Sequence, residues 1–240
     1  MIRDYGTALR IDLSNKKTAE ERLGQDLLTS FIGGKGFAAT ILYNELPVQT
    51  EPLNPDNILV IAVGPLTGTN APAFSKTAFA TKSPLTGMFI DSYVGGSLGP
   101  ELRSAGYELI IIKGKAERPV YVYIEDEKVK IEDASDLWGK DVMETERALK
   151  HTLGENVQIA SIGPAGENLV NYACVCHQIF RQSGRGGIGA VMGSKNLKAV
   201  VVSGRGKVVP SNETDFASVD IIRTGGVTLC QLILLNLEGV

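Results

Sequence analysis

Two segments, ILVIAVGPLTG at 58–68 and VQIASIGPAGE at 157–167, decide how the chain is read. Each opens with an apolar, β-branched run of strand length and breaks at a Gly-Pro pair, the pattern of a buried strand with a sharp exit. Each is followed by a glycine pair that opens a helix, Gly95-Gly96 and Gly186-Gly187, and then by a second apolar run, IIIKGK at 110–115 and VVVSGR at 200–205. The matched glycines lie 99 (Gly64 to Gly163), 91 (Gly95 to Gly186) and 90 (Gly114 to Gly204) residues apart. Offsets this close need only one insertion or deletion per half, so the pattern reads as a duplication, with pseudo-repeats at about 57–115 and 156–207. The expected fold is α+β, a duplicated two-half domain of β-sheets with short helices over 1–207, its halves paired about a pseudo-two-fold axis with equivalent loops on one face.

The remaining elements follow from period and punctuation. Gly6 to Leu13 alternates as a strand, Thr18 to Ser30 reads as a short helix, and FIGGKG at 31–36 turns into a second helix from Phe37 to Asn44. Val120 to Glu132 reads as a hairpin, Asp141 to Leu153 as an amphipathic helix, and Val170 to Cys176 as a strand. From 208 the chain turns polar and reads as a linker or the truncated start of a following helical domain, and 221–240 has no clear period.

Hydrophobic residues make up 43% of the 240 and charged residues 21%, enough to bury a core; the 27 glycines are the outlier. A net charge of −3 leaves no basic surplus for phosphate backbones or anionic lipid, which argues against nucleic-acid and membrane partners. Three cysteines make no even disulfide framework, and the first residues lack the apolar core of a signal peptide, so a reducing, cytoplasmic setting is expected.

The chemistry concentrates at the glycine pairs. VGGSLGPEL at 94–102 and GRGGIGAVMGSKN at 184–196 bring backbone N–H groups and a helix start together, with Lys76 and Lys82 before the first and Arg181, Arg185 and Lys195 around the second. Either these loops hold phosphate or diphosphate, or the glycines serve only tight turns and close packing. GPLTGT at 64–69 and SPLTG at 83–87 read as binding loops or, more simply, as rigid strand exits. Cys174 and Cys176 lack zinc spacing and read as buried or idle, Trp138 as a core plug, and His177, just before the arginine loop, as a ligand contact or, more simply, a bland residue. No catalytic acid, base or nucleophile stands out.

Long stretches carry a resemblance. GPLTGTNAPAFSKTAFATKSPLTG (64–87), AGYELIIIKGKAERPVYVYIEDEKVKIEDASDLWGKDVMETE (105–146), IASIGPAGENLVNYA (159–173) and GRGGIGAVMGSKNLKAV (184–200) closely resemble the N-terminal domain of the tungsten-containing aldehyde:ferredoxin oxidoreductases. The resemblance implies an α+β base on which a tungsten bis-pyranopterin (tungstopterin) sits, its phosphates bridged by magnesium. Carried over residue by residue, it assigns pterin contacts to Lys76, to Val94, Gly95 and Gly96 and to the segment Arg181 to Arg185, Gly184 included. It assigns the backbone carbonyls of Tyr93 and Gln182 to magnesium. The family often has arginine at Lys76, asparagine at Tyr93 and alanine at Gln182; lysine keeps the charge but loses the bidentate fork. Also implied are oxidation of an aldehyde to a carboxylic acid, ferredoxin as electron acceptor, a homo-oligomer, and later domains with a [4Fe–4S] cluster. Nothing here matches that cysteine set, so the chain is expected to stop before it and to be inactive alone. The alternatives are a family member acting on a carboxylic acid or aromatic thioester, or a non-catalytic relic binding a phosphorylated ligand.

Overall fold

The computed structural model describes residues 5–71 and 73–209, so the expected linker is described only to Val209 and the 221–240 tail lies outside the described residues. The first half contains β1 (Thr7–Asp12), β2 (Lys17–Arg22), α1 (Gln25–Ser30), α2 (Lys35–Glu45), β3 (Leu59–Val63), β4 (Thr77–Lys82), β5 (Phe89–Val94), α3 (Leu98–Ala105) and β6 (Leu109–Lys113). The second contains β7 (Val120–Glu125), β8 (Lys128–Asp133), α4 (Val142–Leu153), β9 (Gln158–Ser161), α5 (Pro164–Glu167), β10 (Val175–His177), β11 (Arg181–Ser183), α6 (Ile188–Ser194) and β12 (Leu197–Ser203).

Each half makes one six-stranded sheet. The first has the order β2-β1-β6-β3-β4-β5, and the second, taken from its β8 edge, has the order β8-β7-β12-β9-β10-β11. These are the same order, strand for strand. In both, the first strand pairs in parallel with the sixth, and the third is antiparallel to the sixth and the fourth. The unit seen in the fold therefore begins with a hairpin, β1–β2 or β7–β8, that lies before the segments matched in sequence.

Two elements differ from expectation. Residues 18–22 are strand, not helix: KTAEER has helix-forming composition, but its backbone completes the ladder with β1, from Thr7↔Arg22 to Asp12↔Lys17. All six residues are exposed, and the charges suit an edge strand that must not pair with another molecule. The second strand starts at Val175 rather than Val170, because 169–174 wraps α5 as a turn. There Leu169 has φ +57°, Val170 N–H donates to Ala165 O (3.0 Å), and Ala173 N–H donates to Val170 O (2.8 Å).

The layers explain why β3 and β6 read as unbroken apolar runs: both of their faces are covered. Between the sheets, α3 and α6 touch strands of both, and Leu9, Ile61 and Ile110 share one buried cluster with Leu102, Val191, Val122 and Val200. On the outer face of the first sheet, Phe37, Ile41 and Leu42 of α2 pack on Val60, Ala62 and Ile111. Leu149 of α4 does the same against Ile159 and Val201. Each such aliphatic side chain contributes about 1.5–3 kcal/mol by leaving water. The α4 start is fixed by a capping box, in which Glu144 N–H donates to Asp141 Oδ1 (2.8 Å) and Asp141 N–H donates to Glu144 Oε2 (3.1 Å).

A polar tie also joins the halves. Lys195, fully buried after α6, donates from Nζ to the carbonyls of Pro55 (2.9 Å), Asn57 (2.5 Å) and Gly114 (3.2 Å) in the first half. Burial lowers its pKa to about 7, with Asp56 and Asp12 opposing the shift.

Candidate functional site

The two sheets meet along their β5 and β11 edges. Arg185 N–H donates to Ser92 Oγ (3.2 Å), and Ser83 Oγ donates to the Gly186 carbonyl (2.7 Å). Gly186 packs so closely on Ile90 that a Cβ there would lie 2.4 Å from Ile90 Cγ1. The SPLTG turn is thus a buttress for the second glycine loop. GPLTGT behaves as a rigid exit: Thr67 is buried, its N–H donates to Gly64 O (3.1 Å), and it packs against Gly99 of α3.

Strand register pairs up positions in the two halves. Tyr93 faces Ala78, and Gln182 faces Cys176 in the matching ladder, so the two carbonyls expected to hold magnesium are counterparts. One residue earlier, Ser92 and Arg181 are counterparts, and each reaches across the seam. Ser92 accepts from the second loop, as above. Arg181 extends over the first loop: a Cβ on Gly95 would lie 3.3 Å from Arg181 Nη1 and 3.9 Å from Lys76 Nζ. Two exposed cations therefore converge on the space above Gly95, and among the described residues neither is ion-paired with a carboxylate. No acceptor is found among the described residues for the N–H groups of Gly95, Gly96 or Gly184.

The first loop is held from behind. Gly96 has φ +96°, and an added Cβ would meet Gln178 Oε1 at 2.5 Å and Arg181 Cδ and His177 Cδ2 at 2.9 Å. Gln178 Oε1 accepts from Arg181 Nε (3.2 Å), and its Nε2 donates to Ser97 Oγ (3.3 Å). His177 is buried. Its Nδ1–H donates to Ile159 O (2.8 Å), which leaves Nε2 to accept the Leu98 N–H (3.2 Å) at the first turn of α3. Burial holds its pKa below the ordinary value, against the Ile159 hydrogen bond, so the neutral ring is a helix cap supplied by the other half. The bland role read for His177 from sequence is here a specific one, the cap on α3, while Gln178 carries no signal in sequence; the pairing of His177 with Arg181 comes from the β10–β11 ladder.

Tyr93 is exposed, and its hydroxyl donates to Asp91; burial first, then Asp91, pushes its pKa up to about 12. Asp91 stays below its usual value despite burial, because Tyr93 and Lys35 (Nζ 2.8 Å away) favour the carboxylate. Cys174 and Cys176 lie with Sγ atoms 3.8 Å apart. The Sγ–Sγ hydrogen bond holds the Cys174 thiol below its ordinary value and, with burial, pushes Cys176 above it.

Two lysines expected near the loops are elsewhere. Lys195 is buried in the tie between the halves, and Lys82 donates to Val48 O (2.5 Å) beside a cavity of about 900 Å³ lined by Phe31, Leu42, Tyr43, Leu46 and Phe89. That cavity is apolar and far poorer in charge than the seam. Trp138 packs against the main core. Among the described residues no three His, Cys, Asp or Glu side chains gather as a metal site, and no helix is long and apolar enough to cross a membrane.

Residues 8–204 match the family model described as "Aldehyde ferredoxin oxidoreductase, N-terminal domain". The chain belongs to that family. It is 48% identical over 211 residues to the tungsten-containing aldehyde ferredoxin oxidoreductase of Pyrococcus furiosus, covering 88% of this chain and 35% of that protein. It is 39% identical over 217 residues to an aliphatic sulfonate oxidoreductase, WOR-like subunit, of the same organism, covering 84% of this chain and 34% of that one. Among solved structures, the active-site complex BamBC of benzoyl-coenzyme A reductase superposes with a TM-score of 0.87 at 40% identity, over 89% of this chain and 33% of its own. The chain thus spans about a third of the length of the relatives it matches.

Proposed function

We propose that residues 1–207 are the metallopterin cradle of a tungsten-pterin oxidoreductase that oxidises aldehydes to carboxylic acids and passes the electrons to ferredoxin. The observation that carries this reading is the convergence of Lys76 Nζ and Arg181 Nη1 above Gly95, beside N–H groups that find no acceptor among the described residues. That donor set suits the phosphate arms of a pterin. In this reading Lys76, Arg181 and Arg185 would neutralise phosphate charge, Val94, Gly95, Gly96 and Gly184 would offer backbone to the cofactor, and the Tyr93 and Gln182 carbonyls would hold magnesium. When bound, the tungstopterin supplies the two-electron chemistry and the protein supplies position and electrostatics. A [4Fe–4S] cluster, the substrate pocket, the ferredoxin contact and a homo-oligomeric, cytoplasmic assembly would belong to the whole protein.

The likeness to a sulfonate oxidoreductase and to a benzoyl-coenzyme A reductase complex favours a second reading of the substrate, with the same cradle serving a sulfonate or an aromatic thioester. Inorganic pyrophosphate, standing in for the pterin phosphates, tests the cradle by calorimetric titration. Binding should be saturable and salt-sensitive, and the Lys76→Ala and Arg181→Ala variants should each weaken it roughly tenfold or more, since a charged hydrogen bond is worth about 1.5–3 kcal/mol. Unchanged affinity in both variants would refute the cradle.

A further inference from the structure

We propose that Cys174 and Cys176 form a reversible dithiol–disulfide couple that reacts with small-molecule disulfides. The proposal stands apart from the cradle reading. Its first support is contact: the two Sγ atoms are 3.8 Å apart, van der Waals distance, and side-chain rotation with a small backbone shift brings them toward the bond length of about 2.05 Å. Its second is placement at a strand end. Strand β10 begins at Val175, so Cys176 is held in the ladder opposite Gln182 while Cys174 lies outside it. Its third is access: Cys174 is half-buried and Cys176 is buried behind it. Its fourth is the absence of a competing role. Neither thiol belongs to a metal-binding group among the described residues, and the adjacent His177 has both ring nitrogens engaged by Ile159 and Leu98.

Register shows the pair to be a particular feature of the second half. Thr77 pairs with Val94 and Val175 with Ser183, so the preceding residues, Lys76 and Cys174, are counterparts, as are Ala78 and Cys176. The first half puts an ammonium and a methyl where the second puts two thiols.

The reaction is two exchanges. Cys174, having given its proton to solvent, attacks one sulfur of a disulfide RSSR, forming a mixed disulfide and releasing RS⁻, which takes up a proton. Cys176 then attacks the Cys174 sulfur, the mixed bond breaks, and a second RSH leaves. Two protein thiols and one RSSR become one protein disulfide and two RSH; the cysteines are oxidised by two electrons and the small disulfide is reduced.

The test equilibrates the 240-residue chain with mixtures of oxidised and reduced glutathione, blocks remaining thiols with N-ethylmaleimide, and reads intact and tryptic masses. Cleavage after Lys150 and Arg181 leaves both cysteines in one peptide and Cys230 in another. The expected product is that peptide, unlabelled and lighter by two hydrogens, restored to double labelling by dithiothreitol. The Cys176→Ser variant should trap one glutathione on Cys174, and Cys174→Ser should trap none on Cys176 in the folded chain. Two labels on the peptide from the most oxidising mixture, or glutathione on both cysteines, would overturn the proposal. The unsubstituted chain alone decides this should either variant fail to fold.

Discussion

Adjacent glycines in the first loop should fail in different ways when changed to alanine. Gly96 has φ +96°, which costs an L-residue about 1 kcal/mol or more, and its methyl would lie 2.5–2.9 Å from Gln178, Arg181 and His177. Gln178 and Arg181 can swing aside. His177 cannot, because both ring nitrogens are committed, so an overpacking cost of about 1–3 kcal/mol is added. Gly96→Ala should therefore lose about 2–4 kcal/mol, which for a domain of this size lowers Tm by roughly 5–15 °C. Gly95 does not have a left-handed φ, and its methyl would meet only the far ends of two flexible side chains, Arg181 Nη1 at 3.3 Å and Lys76 Nζ at 3.9 Å. Gly95→Ala should keep Tm within about 2 °C, yet the methyl fills the space where an anion would sit, so pyrophosphate should bind about tenfold more weakly. Thermal melts and calorimetric titrations of both variants decide the matter. The reasoning fails if Gly95→Ala melts as low as Gly96→Ala, or if it binds pyrophosphate as the unsubstituted chain does.

Two further outcomes concern buried titrating groups. His177 has a lowered pKa in the fold, so the unfolded chain takes up its proton first as pH falls through about 6.5; stability from this group is full above that value and declines below it. The urea midpoint should drop between about pH 7.5 and pH 5.5, more steeply in the unsubstituted chain than in His177→Asn; equal slopes would remove His177 as the cause. Lys195, at about 7 in the fold against 10.5 unfolded, makes stability climb from about pH 7 to pH 10. Lys195→Met should abolish that climb and, by removing the donor to the Asn57 and Gly114 carbonyls while Pro55 O keeps the Gly114 N–H, cost about 2–4 kcal/mol at neutral pH, read from the same urea curves.

Much of this fold is legible in the chain because the repeat punctuates itself. ILVIAVGP announces β3 by its unbroken apolar run, as a strand covered on both faces should, and VQIASIGP announces β9 by Val157, Ile159, Ala160 and Ile162 before the same Gly-Pro exit. The strand β2 is not announced. Its residues have polar surroundings on both faces, and only pairing with β1 makes them extended, so nothing local separates KTAEER from a helix. That error hid the first-half hairpin, and with it the full extent of the six-strand unit. At the site, Lys76, Gly95 and Arg181 were legible as types of residue that hold phosphate. Their convergence was not, because it depends on two sheet edges meeting. Lys195 shows the converse: its place beside a glycine loop in sequence suggested an anion ligand, and a buried set of carbonyls claims it instead.

The duplication also explains why the site is single although the scaffold is double. Counterpart positions carry different side chains: lysine against cysteine at 76 and 174, serine against arginine at 92 and 181. Each half lends its residue to the other's loop. Ser92 accepts a hydrogen bond from Arg185 N–H, which fixes the second loop, while Arg181 crosses to stand with Lys76 over the first. The helix that follows the first loop is capped from the second half as well, through His177. One half thus provides the glycine backbone and one cation, and the other provides the second cation, the cap and Gln178. Lys76 comes from one sheet and Arg181 from the other, so the proposed anion site is a property of the seam, and whatever loosens the β5–β11 edge should act on it without touching a ligand.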